Sequence, residues 1–392
     1  MKILEFGHLP SWAGGLQSTG GANAMYQIAF HLSKKDGVEV FFGATDVFEY
    51  RKYIEHLAVY GWNSRIILKF CLLHLSSFFS CLIYTILYRR RLPDTLGFIR
   101  RLTKCIFHVY LAKLLEPDII HLHNDPEFYS DILYKYAKVV VTVHGVFGND
   151  INVDSYEKHH LYEDHISKNP NISLVTFVTH SVLNEFKSTY GTVIPKHVVV
   201  LNAFDSKQFF FRDKKPSSEL VLSTIASISD RKGQFRVLKG IQKARISCHY
   251  VCVGGGKENE VTKLLDFASA NEINLSYLGE RSPNEIREVL TQSDYMILPS
   301  SSEGFGLVYL EAMACGTPVI LPNDLPIVKE IGIISSANSV LLDDCSEQAI
   351  AAILPQLADK RFDRKKVSDS VSGYSWDVIT DQYLCEMKSL FS

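Results

Sequence analysis

No Asp-x-Asp, no Gly-x-Gly-x-x-Gly and no Cys-x-x-Cys occurs in the 392 residues of this chain. The first absence removes the closely spaced carboxylates that seat a divalent ion on a loop, so metal-independent chemistry is expected and no residue is assigned to a metal. The second takes away the main support for a nicotinamide-binding protein, even though Asp46 follows the second apolar run. The third, with eight cysteines scattered at no metal-ligand spacing, implies reduced, mostly packed thiols and no disulfide framework. Neither sign of charge is in large excess: 41 basic and 43 acidic residues give a net charge of −2, which offers no reason to expect nucleic acid as a partner. Met1 and Lys2 lead straight into an apolar run, leaving no room for a secretory leader, so a cytoplasmic protein is expected. Acids are locally scarce as well. Residues 65–113 hold nine Lys or Arg and the single acid Asp94, and within them the nineteen residues 70–88 carry no charge.

What is present reads as an α/β protein. A hydrophobic content of 46% over this length suits two domains with well-filled cores. Short apolar runs at residues 3–6, 38–42, 119–122, 139–143 and 174–178 alternate with longer helical patterns, which predicts a parallel, doubly wound sheet. A second series of strands is expected near residues 220, 249, 274, 295 and 319. The boundaries predicted are a domain over 1–202, a polar linker over 203–218, a second domain over 219–373, and a C-terminal amphipathic helix over 374–392.

The most informative run is Ser300-Ser301-Ser302-Glu303-Gly304-Phe305-Gly306-Leu307-Val308-Tyr309-Leu310-Glu311. It predicts a buried strand ending at Pro299, a serine- and glycine-rich exit loop, and a short helix from Leu307 to the Cys315-Gly316 stop. Free backbone N–H groups at a helix N-terminus, approached closely past Gly304 and Gly306, suit a diphosphate. Glu311 sits among Leu310, Ala312, Met313 and Ala314, where a carboxylate is costly unless donors meet it; a ribose diol supplies two. Glu303 can accept from sugar hydroxyls. The competing expectation is an ordinary strand-loop-helix unit with Glu311 turned to solvent.

With its two glutamates separated by seven residues, this segment resembles the donor-site signature of retaining family-four glycosyltransferases, the glycosyl transferases group 1 of bacterial cell-surface polysaccharide type. The likeness continues through Asp230-Arg231-Lys232-Gly233, Val253-Gly254-Gly255-Gly256, Leu278-Gly279 and Ser293-Asp294-Tyr295, and covers the rest of the chain more weakly. It implies the GT-B architecture, two doubly wound Rossmann-like domains facing a cleft, with the C-terminal helix returning to the first domain. The missing Asp-x-Asp is in keeping, since that pair belongs to GT-A enzymes.

The resemblance also implies roles. Glu311 would bind ribose, and Glu303 with Gly304, Phe305, Gly306 and Leu307 would hold sugar and phosphate. Lys232, with Arg231, would place positive charge against the departing diphosphate. Similar enzymes carry an arginine five residues before the lysine, where this chain has Ser227, which leaves open whether Arg231 takes over that role. Gly20 and Gly21, in the loop after the first strand, would meet donor phosphate or acceptor. His144, at the end of a predicted strand, would hydrogen-bond the transferred sugar, whereas His121 and His123 are expected to be core or supporting groups.

On length alone the uncharged run 70–88 could cross a bilayer, but a crossing would separate strands that belong to one sheet. Basic clusters at Arg89-Arg90-Arg91 and Arg100-Arg101-Lys104 beside apolar helices suggest a surface that docks on anionic lipid. A buried crossover helix with a solvated basic end is the alternative. The expectation is therefore a retaining hexosyltransferase at the inner face of the cell membrane. It would move sugar from a nucleotide diphosphate donor, with no cofactor, to a lipid-linked or cell-surface glycan. A nucleotide-sugar isomerase of the same fold and an inactive nucleotide-sugar-binding protein are the rival classes.

Overall fold

In a computed structural model the chain is described at every residue except 17–19, 45, 48, 50, 90–94, 124–129, 148–155, 193 and 358. It divides into two units, Met1–Leu201 with Ile379–Ser392, and Asn202–Val378.

The first unit is built on β1 (Lys2–Gly7), β2 (Glu39–Ala44), β3 (Lys52–Ile54), β4 (Leu57–Gly61), β5 (Ile119–His123), β6 (Lys138–Val143), β7 (Ile172–Phe177) and β8 (His197–Val199). Their order is β3-β4-β2-β1-β5-β6-β7-β8, parallel throughout except for the antiparallel pair β3 and β4. Runs such as 139–143 are buried on both faces, as expected of strands covered on each side by helices. The switch in strand order falls between β1 and β5, which pair from Ile3 with Ile119 to Glu5 with His121. The hairpin β3–β4 was not expected from sequence. Its turn places Glu55 at φ 51°, without the glycine or asparagine that normally marks such a turn.

Helices α1 (Gly20–Leu32), α2 (Ser64–Leu73), α3 (Leu75–Arg89) and α4 (Thr95–Leu115) belong to this unit. The uncharged run is broken at His74, where the segments 67–73 and 75–87 meet at 111°. Among the described residues no single helix is long and apolar enough to cross a membrane. Ile67, Phe70 and Cys81 face the core. Leu68, Leu72, Leu73, Leu75, Phe79, Ile83, Ile86 and Leu87 face outward, each between 43% and 68% exposed. The pair is thus apolar inside and out, unlike the alternative of a buried crossover helix with a solvated basic end. The basic clusters are also altered. Arg101 and Lys104 are buried, leaving Arg100 exposed. Arg90, Arg91 and the side chain of Arg89 lie outside the described residues.

The second unit carries β9 (Leu220–Ile225), β10 (Cys248–Val253), β11 (Leu275–Gly279), β12 (Tyr295–Ile297), β13 (Val319–Pro322) and the short edge strand β14 (Ser339–Leu342). The order β11-β10-β9-β12-β13-β14 is wholly parallel and switches direction between β9 and β12. Residues 203–218, expected as a linker, belong to this unit and have neither helix nor strand. They are nonetheless packed: Phe204 and Phe209 are buried, and Phe204 N donates to Tyr374 O at 3.1 Å.

The terminal helix Trp376–Lys388 joins the first unit from Ile379 onward. Lys35 Nζ meets Asp381 Oδ1 at 2.7 Å, Gln382 donates to Val199 O at 3.2 Å, and Tyr383 and Met387 are buried.

Candidate functional site

In an open α/β sheet, ligands settle beyond the carboxyl ends of the strands where their order reverses. In the second unit that point lies between β9 and β12, and their exit loops are 226–233 and 298–306. The loops are tied together. Ser301 N donates to Arg231 O at 2.9 Å, and Arg231 Nη1 donates to Ser302 O at 2.7 Å. Arg236 spans both, donating to Asp230 O at 2.6 Å and Pro299 O at 2.9 Å. Gly254 lets the β10 exit come alongside: a Cβ there would lie 2.1 Å from Ala226 O.

The helix Leu307–Ala314 starts at Gly306, whose φ of 87° favours glycine and where a Cβ would strike the Tyr309 ring at 2.6 Å. Tyr309 is pinned by its own hydroxyl, which donates to Leu298 O at 2.8 Å, and Phe305 is buried beside it. Gly304 and Leu307 are partly buried. The glycine loop is thereby fixed in shape at the N-terminal end of the helix, the positive pole of its dipole.

Charge is concentrated on the same loops. Lys232 and Glu303, both largely buried, form an ion pair between Nζ and Oε1, and Arg231 Nη1 approaches the same oxygen at 4.0 Å while remaining half exposed. Burial lowers the Lys232 pKa and the Glu303 carboxylate opposes that shift, so the ammonium is held where desolvation disfavours it. Glu311 is 9% exposed, and burial, aided by the Asp205 charge, pushes its carboxyl up to about 7. Such a carboxyl is poised to gain from hydroxyl donors, and it does not point to solvent. Its exposure settles the competing expectation of an outward Glu311.

A depression of about 470 Å³, lined in part by Lys214, His249, Ser276 and Gln292, lies near the amino ends of β9, β10 and β11. That is the wrong edge of the sheet for ligands of this fold class, and it contains none of the residues expected to bind donor.

In the first unit Gly20 and Gly21 open α1, and a Cβ on Gly20 would meet nothing within 4 Å. His144 follows β6 and is partly buried, its pKa driven well below the ordinary range by burial and by its neighbours His123 and His121. It ends a buried polar chain. His123 Nδ1 lies 2.9 Å from His144 Nε2, and His123 Nε2 lies 3.3 Å from Glu5 Oε2. Glu5 Oε1 is 2.8 Å from His121 Nδ1, and His121 Nε2 is 2.6 Å from Thr142 Oγ1, itself 2.6 Å from Thr176 Oγ1. Tyr383 roofs this face, its ring 5.8 Å from that of His121.

Among the described residues, Glu5, His121 and His123 are also a set whose donor atoms lie within 4.8 Å of one another, the spacing a metal ion needs. Protons satisfy the same geometry: two imidazole N–H groups facing one carboxylate.

The second unit therefore brings Lys232, Arg231, Glu303, Gly304, Phe305, Gly306, Leu307 and Glu311 onto adjoining loops and one helix. Gly20, Gly21 and His144 are carried by the first. Sequence reasoning passed over Glu5 and Arg236. A lone glutamate inside the first apolar strand was the available signal for Glu5, since nothing in a buried strand should be charged without a partner. Arg236 lies four residues past Lys232 in a helix and carried no such signal.

Comparison with known proteins fits this picture. The family described as glycosyl transferases group 1 matches residues 205–371. An N-acetyl-alpha-D-glucosaminyl L-malate synthase of Bacillus anthracis is 30% identical over 225 residues, covering 52% of this chain and 56% of that protein. An N,N'-diacetylbacillosaminyl-diphospho-undecaprenol alpha-1,3-N-acetylgalactosaminyltransferase of Campylobacter jejuni is 28% identical over 131 residues, 33% of this chain and 34% of its own. The chain thus spans about half the length, or less, of these two curated relatives. Among solved structures, a sucrose-phosphate synthase from Thermosynechococcus elongatus superposes with a TM-score of 0.72 at 17% identity, over 100% of this chain and 99% of that one. At that identity the likeness shows the fold alone, two doubly wound α/β domains of the GT-B type.

Proposed function

Through residues 205–371 the chain belongs to the glycosyl transferases group 1 family, and from that premise we propose that it is a retaining glycosyltransferase using a nucleotide diphosphate sugar. One observation carries the reading: a buried, proton-retaining Glu311 on the helix whose glycine-shaped start adjoins the Lys232–Glu303 pair. A carboxyl buried at this cost suits a ligand that supplies donors, and the ribose diol does so. The N–H groups opening the helix Leu307–Ala314 hold the diphosphate, and Glu303 accepts from the sugar.

In the transfer step an acceptor hydroxyl oxygen bonds to the anomeric carbon as the bond from that carbon to the phosphate oxygen breaks. The hydroxyl proton passes to the departing diphosphate on the same face, which preserves the configuration. Lys232 and Arg231 stabilise the charge that develops there, so the step needs no divalent ion. Gly20 and Gly21 contact donor phosphate or acceptor, and His144 hydrogen-bonds the transferred sugar.

The acceptor is a lipid-linked or cell-surface glycan. What supports this is the outward face of α2 and α3, where eight large apolar side chains are each at least 43% exposed. It favours in-plane docking at the cytoplasmic face of a membrane, driven more by apolar burial than by the basic clusters.

The test is incubation of the protein and membranes with a labelled nucleotide-sugar panel. A membrane-borne product that keeps the donor's anomeric configuration is expected, lost in Glu303→Ala and Lys232→Ala. An unchanged donor mass with an altered sugar would instead indicate an isomerase. Donor binding without any product would reduce the protein to a nucleotide-sugar receptor.

A further inference from the structure

The first unit buries a carboxylate and two imidazoles that do not fully satisfy one another. Glu5 on β1 and His121 on β5 are register partners, and His123, two residues further along β5, has its side chain on the same face. All three are 0% exposed. His121 Nδ1 lies 2.8 Å from Glu5 Oε1, a sound hydrogen bond. His123 Nε2 stands 3.3 Å from Glu5 Oε2 without forming one, and neither atom has another hydrogen-bond partner among the described residues. A carboxylate oxygen and a ring nitrogen buried side by side and unpaired are costly, and protons on the rings leave that cost standing at this contact.

A cation removes it. Ligand atoms bonded to a tetrahedral ion at about 2.0–2.1 Å stand roughly 3.3 Å apart, which is the separation of His123 Nε2 from Glu5 Oε2. One ligand atom from each of the three residues lies within 4.8 Å of the other two. The His121 contact opens by roughly 0.5 Å to admit the same ion. The outer nitrogens are already held: His121 Nε2 is 2.6 Å from Thr142 Oγ1, and His123 Nδ1 is 2.9 Å from His144 Nε2. An imidazole whose lone pair faces a metal carries its proton on the other nitrogen, and each such proton finds an acceptor here.

We propose that Glu5, His121 and His123 bind a divalent first-row transition ion that clips β1 to β5. Two imidazole nitrogens beside one carboxylate suit zinc, whereas magnesium and calcium take oxygen. Because every ligand residue is buried, the ion has no position open to substrate. It is structural, acquired as the unit folds, and takes no part in the transfer step. None of the residues assigned to the donor supplies a ligand, so the centre stands whether or not the chain transfers sugar.

The experiment compares the full chain from zinc-supplemented cells with a metal-free preparation from zinc-starved cells. Elemental mass spectrometry should find roughly one transition ion per chain in the first, and none in His123→Asn. Calorimetry should place the transition of the first unit about 5–10 °C higher in the loaded protein than in the metal-free one, with that of the second unit unchanged. X-ray absorption at the zinc edge should show two imidazoles and carboxylate oxygen at about 2.0–2.2 Å. A wild type that holds no stoichiometric ion after growth with zinc overturns the proposal, as does a full complement of zinc in His123→Asn. If His123→Asn does not fold, the absorption spectrum of the wild type decides: sulfur ligands, or fewer than two imidazoles, overturn it. Equal transitions in loaded and metal-free protein sink the clip.

Discussion

Glu311 links stability to function through one proton. Its pKa in the folded chain, about 7, lies above the 4.5 of an unhindered glutamate, so between those values the native state holds a proton that the unfolded chain has released. The stabilisation this gives is complete below pH 4.5 and is lost as pH rises through 7, where the ionised carboxylate costs about 3 kcal/mol. Glu311→Gln should therefore raise the calorimetric melting temperature at pH 8, change it little at pH 5, and weaken donor binding at least tenfold. In the wild type, donor affinity should climb from pH 6 to pH 8. A variant no more stable at pH 8 would mean that the carboxyl is not desolvated. At Lys232, replacement by Ala should lower kcat by about 10²–10³-fold, measured in the transfer assay, since the lost charge acts mainly on the leaving group. Glu311 was legible in the sequence because an acid inside an apolar helix is conspicuous. Glu5 was just as anomalous inside β1, but its meaning depended on His121 and His123 arriving from 116 and 118 residues away, a juxtaposition set by strand order alone.

Among the elements, α2 and α3 depart furthest from the usual pattern. Ile67 and Phe70 in α2 and Cys81 in α3 pack on the core, and the outer residues of both helices are apolar too. Phe79→Glu with Ile83→Glu should leave the melting temperature nearly unchanged, because both side chains are exposed. The same pair should cut cosedimentation with anionic vesicles about tenfold or more, each large apolar residue being worth about 1.5–3 kcal/mol on burial. Undiminished vesicle binding would return the burden to the basic residues. At the start of the helix Leu307–Ala314, Gly306→Ala must adopt a left-handed φ and push its Cβ into Tyr309. A loss of roughly 1–3 kcal/mol is expected in denaturant titration, together with weaker donor binding. The strands with long apolar runs were legible from sequence, as were the glycine loop and its helix. The pair β3–β4 was not, because its turn at Glu55 uses strain where glycine would have announced it. Nor was the inward turn of Arg101 and Lys104, since charge in a sequence does not say which face of a helix it occupies.

At the scale of the whole molecule, two doubly wound sheets each reverse strand order at their centre, and in each the unusual charged residues cluster at or beside that reversal. The chain's last segment, Ile379–Ser392, is part of the first unit although it follows the second in sequence. Deleting it would uncover the face occupied by Tyr383 and Met387, and should destabilise the first unit while sparing the second, visible as a separate earlier transition in calorimetry. The account stands or falls on whether Glu311, the amides of Gly304 to Leu307, and Lys232 together clasp a sugar nucleotide. Titration calorimetry of a nucleotide diphosphate sugar panel against the wild type and Glu311→Ala tests this most directly. At least one donor should bind the wild type and lose tenfold or more of its affinity to the variant. Binding of equal strength by both proteins, or none of the panel binding the wild type, would contradict it.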